Sequence, residues 1–178
     1  MLGSAQARLA IDGELAKDLG IDVVRRRSGG GAVLLEPGGA VWVDVVIPRG
    51  DPLWSDDVVA AFGWLGRAWR DALDLVGVAT TLHERPSPAT DLGRLACFAG
   101  VGAGELTLDG RKVLGVSQRR TATGARFQCL LLRRWEPALL ARLLGIEDAV
   151  DELTAAAVGL DVDPDRVIDA LHSTLPTG

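Results

Sequence analysis

The sequence predicts an α+β fold in which helices pack against a mainly antiparallel sheet. Three observations predict it. Asp109-Gly110 stands between two β-prone runs and encodes a tight hairpin over Glu105–Ser117, since a type I′ turn needs positive φ at both central residues. Short runs rich in Val, Leu and Ile recur between glycine and proline punctuation, at 41–47, 78–82 and 127–132. Helical spacing of apolar residues is concentrated in one central stretch and in the tail.

In chain order, Leu9, Ile11, Leu15, Ala16 and Leu19 suit a short helix over 9–19, stopped by Gly20. Ile21–Arg25 reads as a strand and Arg26–Gly31 as a loop. Ala32–Leu35 and Val41–Ile47 form a predicted hairpin turned at Pro37-Gly38-Gly39. A longer helix is predicted from Ser55, whose hydroxyl can cap free amides, with Asp56 and Asp57 favoured by the helix dipole. Phe62, Leu65, Trp69, Leu73 and Val76 continue it, and Gly77 ends it. Val78–Leu82 is a further strand, Glu84–Gly93 a loop, and Phe127–Leu132 the last strand. Helices over 136–144, 148–158 and 164–173 follow, the last with Asp163 as cap and Pro164 in the first position. The five tryptophans are spaced as sheet and helix core.

Composition narrows the function. A chain of 178 residues, 48% hydrophobic, can bury one sizeable core. A net charge of −5 provides no field that attracts nucleic acid. No run approaches 18 apolar residues, so no membrane span is predicted, and residues 1–8 lack the apolar centre of a secretion signal. Cys97 and Cys129 are too few for a disulfide framework and fit a reducing, cytoplasmic setting. His83 and His172 have no ligand spacing, so no metal site is expected. Of 19 basic residues only Lys17 and Lys112 are lysines, a bias that singles out places where an ammonium is wanted over a guanidinium.

The most informative stretch is Arg25-Arg26-Arg27-Ser28-Gly29-Gly30-Gly31-Ala32-Val33. Three glycines let the backbone approach a ligand closely, and successive amides can form an anion-binding concavity flanked by guanidinium donors. The alternative is a flexible loop with a solvated basic end. It is neither a Walker loop nor a dinucleotide fingerprint. The second stretch is Asp109-Gly110-Arg111-Lys112-Val113-Leu114-Gly115-Val116-Ser117-Gln118. The turn pairs Leu108 with Arg111 and Thr107 with Lys112, and places Lys112 on one face with Glu105, Thr107 and Leu114. An ammonium on a rigid strand can stabilise charge developing on an acyl carbonyl or on an acyl phosphate; the alternative is an exposed strand lysine. Cys97 precedes Lys112 by fifteen residues, with Glu105 between. A cation near a thiol favours the nucleophilic thiolate; the alternative is a buried cysteine acting as a small hydrophobe, the role assigned to Cys129.

The Arg-Arg-x-Ser-Gly-Gly-Gly-x-Val loop resembles the signature of lipoate–protein ligases, octanoyltransferases and, more distantly, biotin–protein ligases. The lysine hairpin is similar to the same family's Gly-Lys-Lys/Arg-Lys-x-x-Gly-Ser-Ala-Gln segment. The resemblance implies a biotin/lipoate protein ligase-like catalytic domain over residues 1–178, with 135–178 as a helical tail. It implies that Arg25, Arg26, Ser28, Gly29, Gly30, Gly31, Ala32, Gly115 and Ser117 bind substrate and that Lys112 acts at the reactive end. Cys97-Phe98, Glu105 and Lys112 in this order resemble Gram-positive octanoyltransferases, in which the cysteine carries the acyl group as a thioester. The implied donors are an octanoyl carrier protein or free lipoate. The implied acceptors are lipoyl domains, of 2-oxoacid dehydrogenase E2 or of the glycine cleavage H protein. Arg119-Arg120 and Arg133-Arg134 read as solvated strand ends, with docking of an acidic lipoyl domain as the alternative.

Departures from the family pattern sharpen the choice. Leu34, Leu35 and Glu36 stand where an aromatic, His and Asp are usual. Gly104-Glu105 replaces the Asn-Asp of ATP-dependent ligases, and Gln128-Cys129 replaces a His-Gly. The resemblance therefore implies no tightly bound cofactor, with ATP and magnesium or a lipoyl-adenylate entering only on a ligase route. Leu2-Gly3-Ser4-Ala5-Gln6 resembles a motif that in the family follows an opening strand and helix. That segment is expected to be lacking, and an apolar patch to be exposed in its place. A non-catalytic acyl- or lipoyl-domain-binding module, or biotin–protein ligase-like activity, are the alternatives.

Overall fold

The computed structural model describes residues 1–4, 6 and 11–176. Its centre is a five-stranded antiparallel sheet in the order β1-β5-β4-β3-β2, formed by β1 (Ala40–Pro48), β2 (Thr81–His83), β3 (Glu105–Leu108), β4 (Arg111–Arg120) and β5 (Gly124–Leu132). The fold is α+β, as the sequence predicts. Asp109 (φ 50°) and Gly110 (φ 78°) make the β3–β4 turn with the two positive angles required. β1 does not pair with the chain just before it. It lies on the outer edge of β5, Val41 opposite Leu131 and Ile47 opposite Ala125.

The predicted strands at 21–25 and 32–35, and the hairpin between 32–35 and β1, do not form. Each of the two segments is held by a single parallel bridge, Leu2 to Arg25 and Ala32 to Ala96, so neither builds a ladder. The competing partners are remote: the Ala32 amide donates to Leu95 O and its carbonyl accepts from Cys97 N.

One face of the sheet is covered by α2 (Gly63–Leu75) and α6 (Pro164–Thr174). Leu65, Trp69 and Leu73 of α2 and Val167 and Leu171 of α6 pack on Leu106, Leu114, Phe127 and Leu131. Burial of each such side chain contributes about 1.5–3 kcal/mol, which is what fixes these amphipathic helices in place. Gly66 permits the close approach: a Cβ there would lie 2.8 Å from Gly104 O. Ser55 does not cap this helix. A 3₁₀ turn at Ala60–Phe62 precedes it, and Asp57 accepts from the Val59 and Ala60 amides instead. Asp163 caps α6 as predicted, accepting from Asp165 N at 2.9 Å.

The opposite face carries two smaller clusters, one of Val33, Phe98, Leu130, Leu132 and Ala157, the other around Leu2, Ala32, Ala96 and Leu140. They involve α3 (Asp91–Leu95), α4 (Pro137–Leu144) and α5 (Val150–Ala156). The α3 helix lies at the end of the predicted 84–93 loop; Thr90 accepts from Gly93 N and starts it. The first helix is shorter than predicted: α1 spans Gly13–Asp18 with Asp12 as cap, and Leu9 falls outside the described residues. One tryptophan leaves the core. Trp42 is 37% exposed on the edge strand, whereas half-buried Trp54 packs against the core with the Arg49 and Arg120 guanidiniums over its ring.

Candidate active site

A one-residue irregularity decides what faces the site. Thr107 pairs with Lys112, but Leu106 pairs with Leu114, so Val113 is an extra residue on β4, a β-bulge. Leu114 therefore points into the core beneath α2, not to the Lys112 face as expected. The bulge also brings Lys112 and Ser117, five residues apart, to one side of the sheet, where both line the same cleft.

Lys112 is not an exposed strand lysine; it is 2% exposed. Its Nζ sits 2.7 Å from Glu105 Oε2 and donates to Cys97 O at 3.0 Å and Gly100 O at 2.9 Å. An ammonium has three N–H donors, and here each faces an oxygen. The Glu105 carboxylate is also fully engaged: Oε2 accepts from Gly102 N and Oε1 from Val116 N at 3.0 Å. Lys112 thus ties β4 to the short 3₁₀ turn Cys97–Ala99, with the Phe98 ring 4.8 Å from Nζ.

The cleft has a volume of about 580 Å³. Gly29, Gly30, Gly31, Cys97 and Lys112 line it, and Phe62, Val101 and Val116 give it an apolar wall. The glycine loop and the lysine hairpin therefore flank one cavity. An apolar recess bordered by Val33, Trp42, Phe98 and Leu130 adjoins it and shares Cys97 and Ser117 with it; Gly115 lines this recess.

Cys97 is half-buried and Cys129 fully buried, both free thiols. The cation at the Cys97 sulfur is not Lys112, which reaches its carbonyl; it is Arg26, whose Nη2 lies 3.7 Å from Sγ. Burial pushes the Cys129 thiol up to about 12. Alkylation of the native protein near the ordinary thiol value of 9.0 is expected to modify Cys97 and spare Cys129 until the chain unfolds. Peptide mass mapping checks it, and comparable labelling of both would overturn the placement of Cys129.

A family model, the lipoyl protein ligase A/B catalytic domain, matches residues 1–175. The chain belongs to this family. No curated protein sequence matches it. Among solved structures it is similar to a T. acidophilum protein with bound lipoic acid (TM-score 0.74, 18% identity, 97% of this chain and 65% of that one). It is similar to lipoate-protein ligase A bound with ATP (TM-score 0.72, 19% identity, 97% and 65%). A third match is the bi-partite lipoate protein ligase from Thermoplasma acidophilum, studied with its E2 lipoyl domain (TM-score 0.73, 18% identity, 97% and 64%). The chain thus spans about 65% of the length of these relatives.

Within this lipoyl ligase-type domain the remaining expected residues divide. Ser28, 2% exposed, donates to Gln128 Oε1 at 2.8 Å and accepts from Ser117 Oγ at 3.0 Å, so it anchors the loop to the sheet. Arg25 and Ala32 do not reach the cleft. Arg25 donates outward to the carbonyls of Gly3, Ser4 and Gln6, and Ala32 is buried beside Ala96. Gln128 was not singled out as a site residue, yet its pairing with Ser117 across β4 and β5 puts it on the site face. His83, without an evident partner in the sequence, meets Thr107 Oγ1 at 3.0 Å. Arg120 is committed to the carbonyls of Ser55 and Asp56, and Arg133 to those of Val162 and Gly38. Among the described residues no helix is long and apolar enough to cross a membrane.

Proposed function

We propose that this chain transfers an octanoyl or lipoyl group to a lysine of a lipoyl-carrier domain, with Cys97 as the acyl-carrying nucleophile. The observation that carries the reading is the half-exposed Cys97 thiol at the border of a partly apolar cleft, between the glycine loop and the Lys112–Glu105 pair. The reading takes residues 1–178 as one catalytic unit with 135–178 as its helical tail. Free thiols fit a cytoplasmic setting, and neither nucleic acid nor membrane is part of it.

In the first step the Cys97 thiolate attacks the carbonyl carbon of an acyl thioester; the new C–S bond forms as the old one breaks, and the carrier leaves as a thiolate that solvent protonates. In the second, the neutral amine of the acceptor lysine attacks; a C–N bond forms, the C–S bond breaks, Cys97 returns as thiolate and the amine's proton passes to solvent. The apolar wall of Phe62, Val101 and Val116 offers the acyl chain a surface that excludes water. Through Ser28, Gln128 and Ser117 keep the glycine loop in register with β5 and β4.

A magnesium nucleotide fits these residues poorly. Glu105 is the one carboxylate among the described lining residues, and both its oxygens are taken by Lys112, Gly102 and Val116. The acceptor class, E2 or H-protein lipoyl domains, is supported in general terms by the relative studied with its E2 lipoyl domain.

The test is intact mass after incubation with an octanoyl carrier protein, with and without an apo lipoyl domain. An octanoyl adduct on Cys97 that disappears when the acceptor is added is the expected result. Modification of the acceptor only with lipoate and ATP would replace the thioester route by a ligase. No modification under either condition would leave a binding module.

A further inference from the structure

We infer that Arg26 is the cation that serves the Cys97 sulfur in acyl transfer, with Lys112 confined to positioning the turn that carries Cys97. The inference rests on the thioester reading above and adds a residue to its chemistry.

Two buried cations border the cysteine, and their charge balance differs. Lys112 is matched by Glu105 at 2.7 Å, and its other two protons go to the Cys97 and Gly100 carbonyls. Arg26 is 8% exposed and has no carboxylate partner among the described residues. Its Nε and Nη2 donate to Gly29 O at 3.1 and 2.7 Å, and Nη2 donates to Gly31 O at 3.0 Å. These carbonyls fix the guanidinium plane without neutralising its charge. The remaining neighbour of Nη2 is Cys97 Sγ at 3.7 Å. A buried guanidinium without a carboxylate partner among the described residues is therefore left facing a thiol, a side chain that can supply a negative charge. Arg26 cannot take the thiol's proton, which goes to solvent; it stabilises the sulfur anion before attack and again when that anion leaves.

Gly30 makes the encounter possible. It has φ +97°, and a Cβ there would lie 2.7 Å from Arg26 Nη2 and 3.5 Å from Cys97 Sγ. The middle glycine of the loop thus leaves open the gap in which guanidinium and sulfur meet. The other charged groups near Cys97 are the paired Lys112 and Glu105, the Met1 amino group bonded to Val33 O, and Arg94, which is exposed and paired with Asp91.

The test compares alkylation of Cys97 by anionic iodoacetate and neutral iodoacetamide at one pH. An unpaired cation beside sulfur favours the anionic reagent, so the iodoacetate-to-iodoacetamide rate ratio should fall by about tenfold in Arg26→Gln. Arg26→Lys should restore most of it. Gly30→Ala should lower it while leaving the charge in the chain. A loop that merely loosened would change both rates together and leave their ratio alone. An unchanged ratio in Arg26→Gln overturns the inference. So does an equal fall in the Glu105→Gln/Lys112→Gln double variant, which removes the ion pair without stranding a charge. The alkylation readout needs no turnover. If the wild-type protein forms no acyl-enzyme, the transferase reading fails while the ratio still decides the role of Arg26.

Discussion

Replacing Lys112 with methionine is expected to destabilise the protein by about 3–5 kcal/mol, because it strands the Glu105 carboxylate in a site where both partners are nearly inaccessible. The amides of Gly102 and Val116 still reach the carboxylate, but no positive charge remains beside it. The carbonyls of Cys97 and Gly100 lose their donor at the same time. For a chain of this size the loss corresponds to a fall in Tm on the order of 10 °C. Glu105→Gln in the same chain should recover most of it, since a neutral amide with a methionine leaves no unpaired charge. Denaturant unfolding of the two single variants and the double gives the coupling directly. Losses that simply add would mean that the pair does not act as a unit.

Cys97→Ser is expected to abolish acyl-enzyme formation, roughly 10³-fold or more in rate, with the fold unchanged. The swap is nearly isosteric and the side chain is half-exposed, so the hydroxyl remains solvated. A serine hydroxyl at that position has no general base to activate it among the described residues: Glu105 is fully engaged, and the Arg26 guanidinium is a donor only. Cys129→Ser is the control. It should leave transfer unchanged and reduce stability by about 1–3 kcal/mol, the penalty for burying a hydroxyl in an apolar core. Intact mass and initial rates of octanoyl transfer check both. Undiminished transfer by Cys97→Ser would remove the thioester route.

The local parts of this architecture were legible in the sequence and the non-local parts were not. Asp109-Gly110 specified the β3–β4 hairpin because turn chemistry acts over four residues. Asp163-Pro164 marked the start of α6 for the same reason. The pairing of β1 with β5 joins residues far apart in the chain, Val41 with Leu131 and Pro48 with Gly124, and nothing near Val41 announces it; the Pro37-Gly38-Gly39 turn suggests a nearer partner. Ala32–Leu35 has the composition of a strand, yet its hydrogen bonds go to Met1 and to Leu95–Cys97, which a local reading cannot foresee.

The same division runs through the candidate site. Gly29–Gly31, Cys97 and Lys112 stand out by residue type together with the family resemblance, and they line one cleft. Which of two adjacent arginines turns inward is decided by the carbonyls each one finds, and the loop has no periodicity from which to read it. Arg26 finds Gly29 and Gly31; Arg25 finds Gly3 and Ser4. Gln128 was visible in the sequence, but its place beside Ser117 follows only from the β4–β5 register.

The extra residue at Val113 works as a phase shift in a two-beat pattern. On either side of it the strand keeps strict time, odd positions to one face and even to the other, but the two counts are out of step. Lys112 on one count and Gly115 and Ser117 on the other consequently reach the same side, where a Cβ at 115 would press on the Phe98 ring at 3.1 Å and on Lys112 Cε at 3.4 Å. The information in this hairpin therefore lies in spacing as much as in residue identity. Loss of one residue there would leave composition and hydropathy almost untouched, yet it would turn the ammonium into the oily side of the sheet while its intended neighbours stayed where they are.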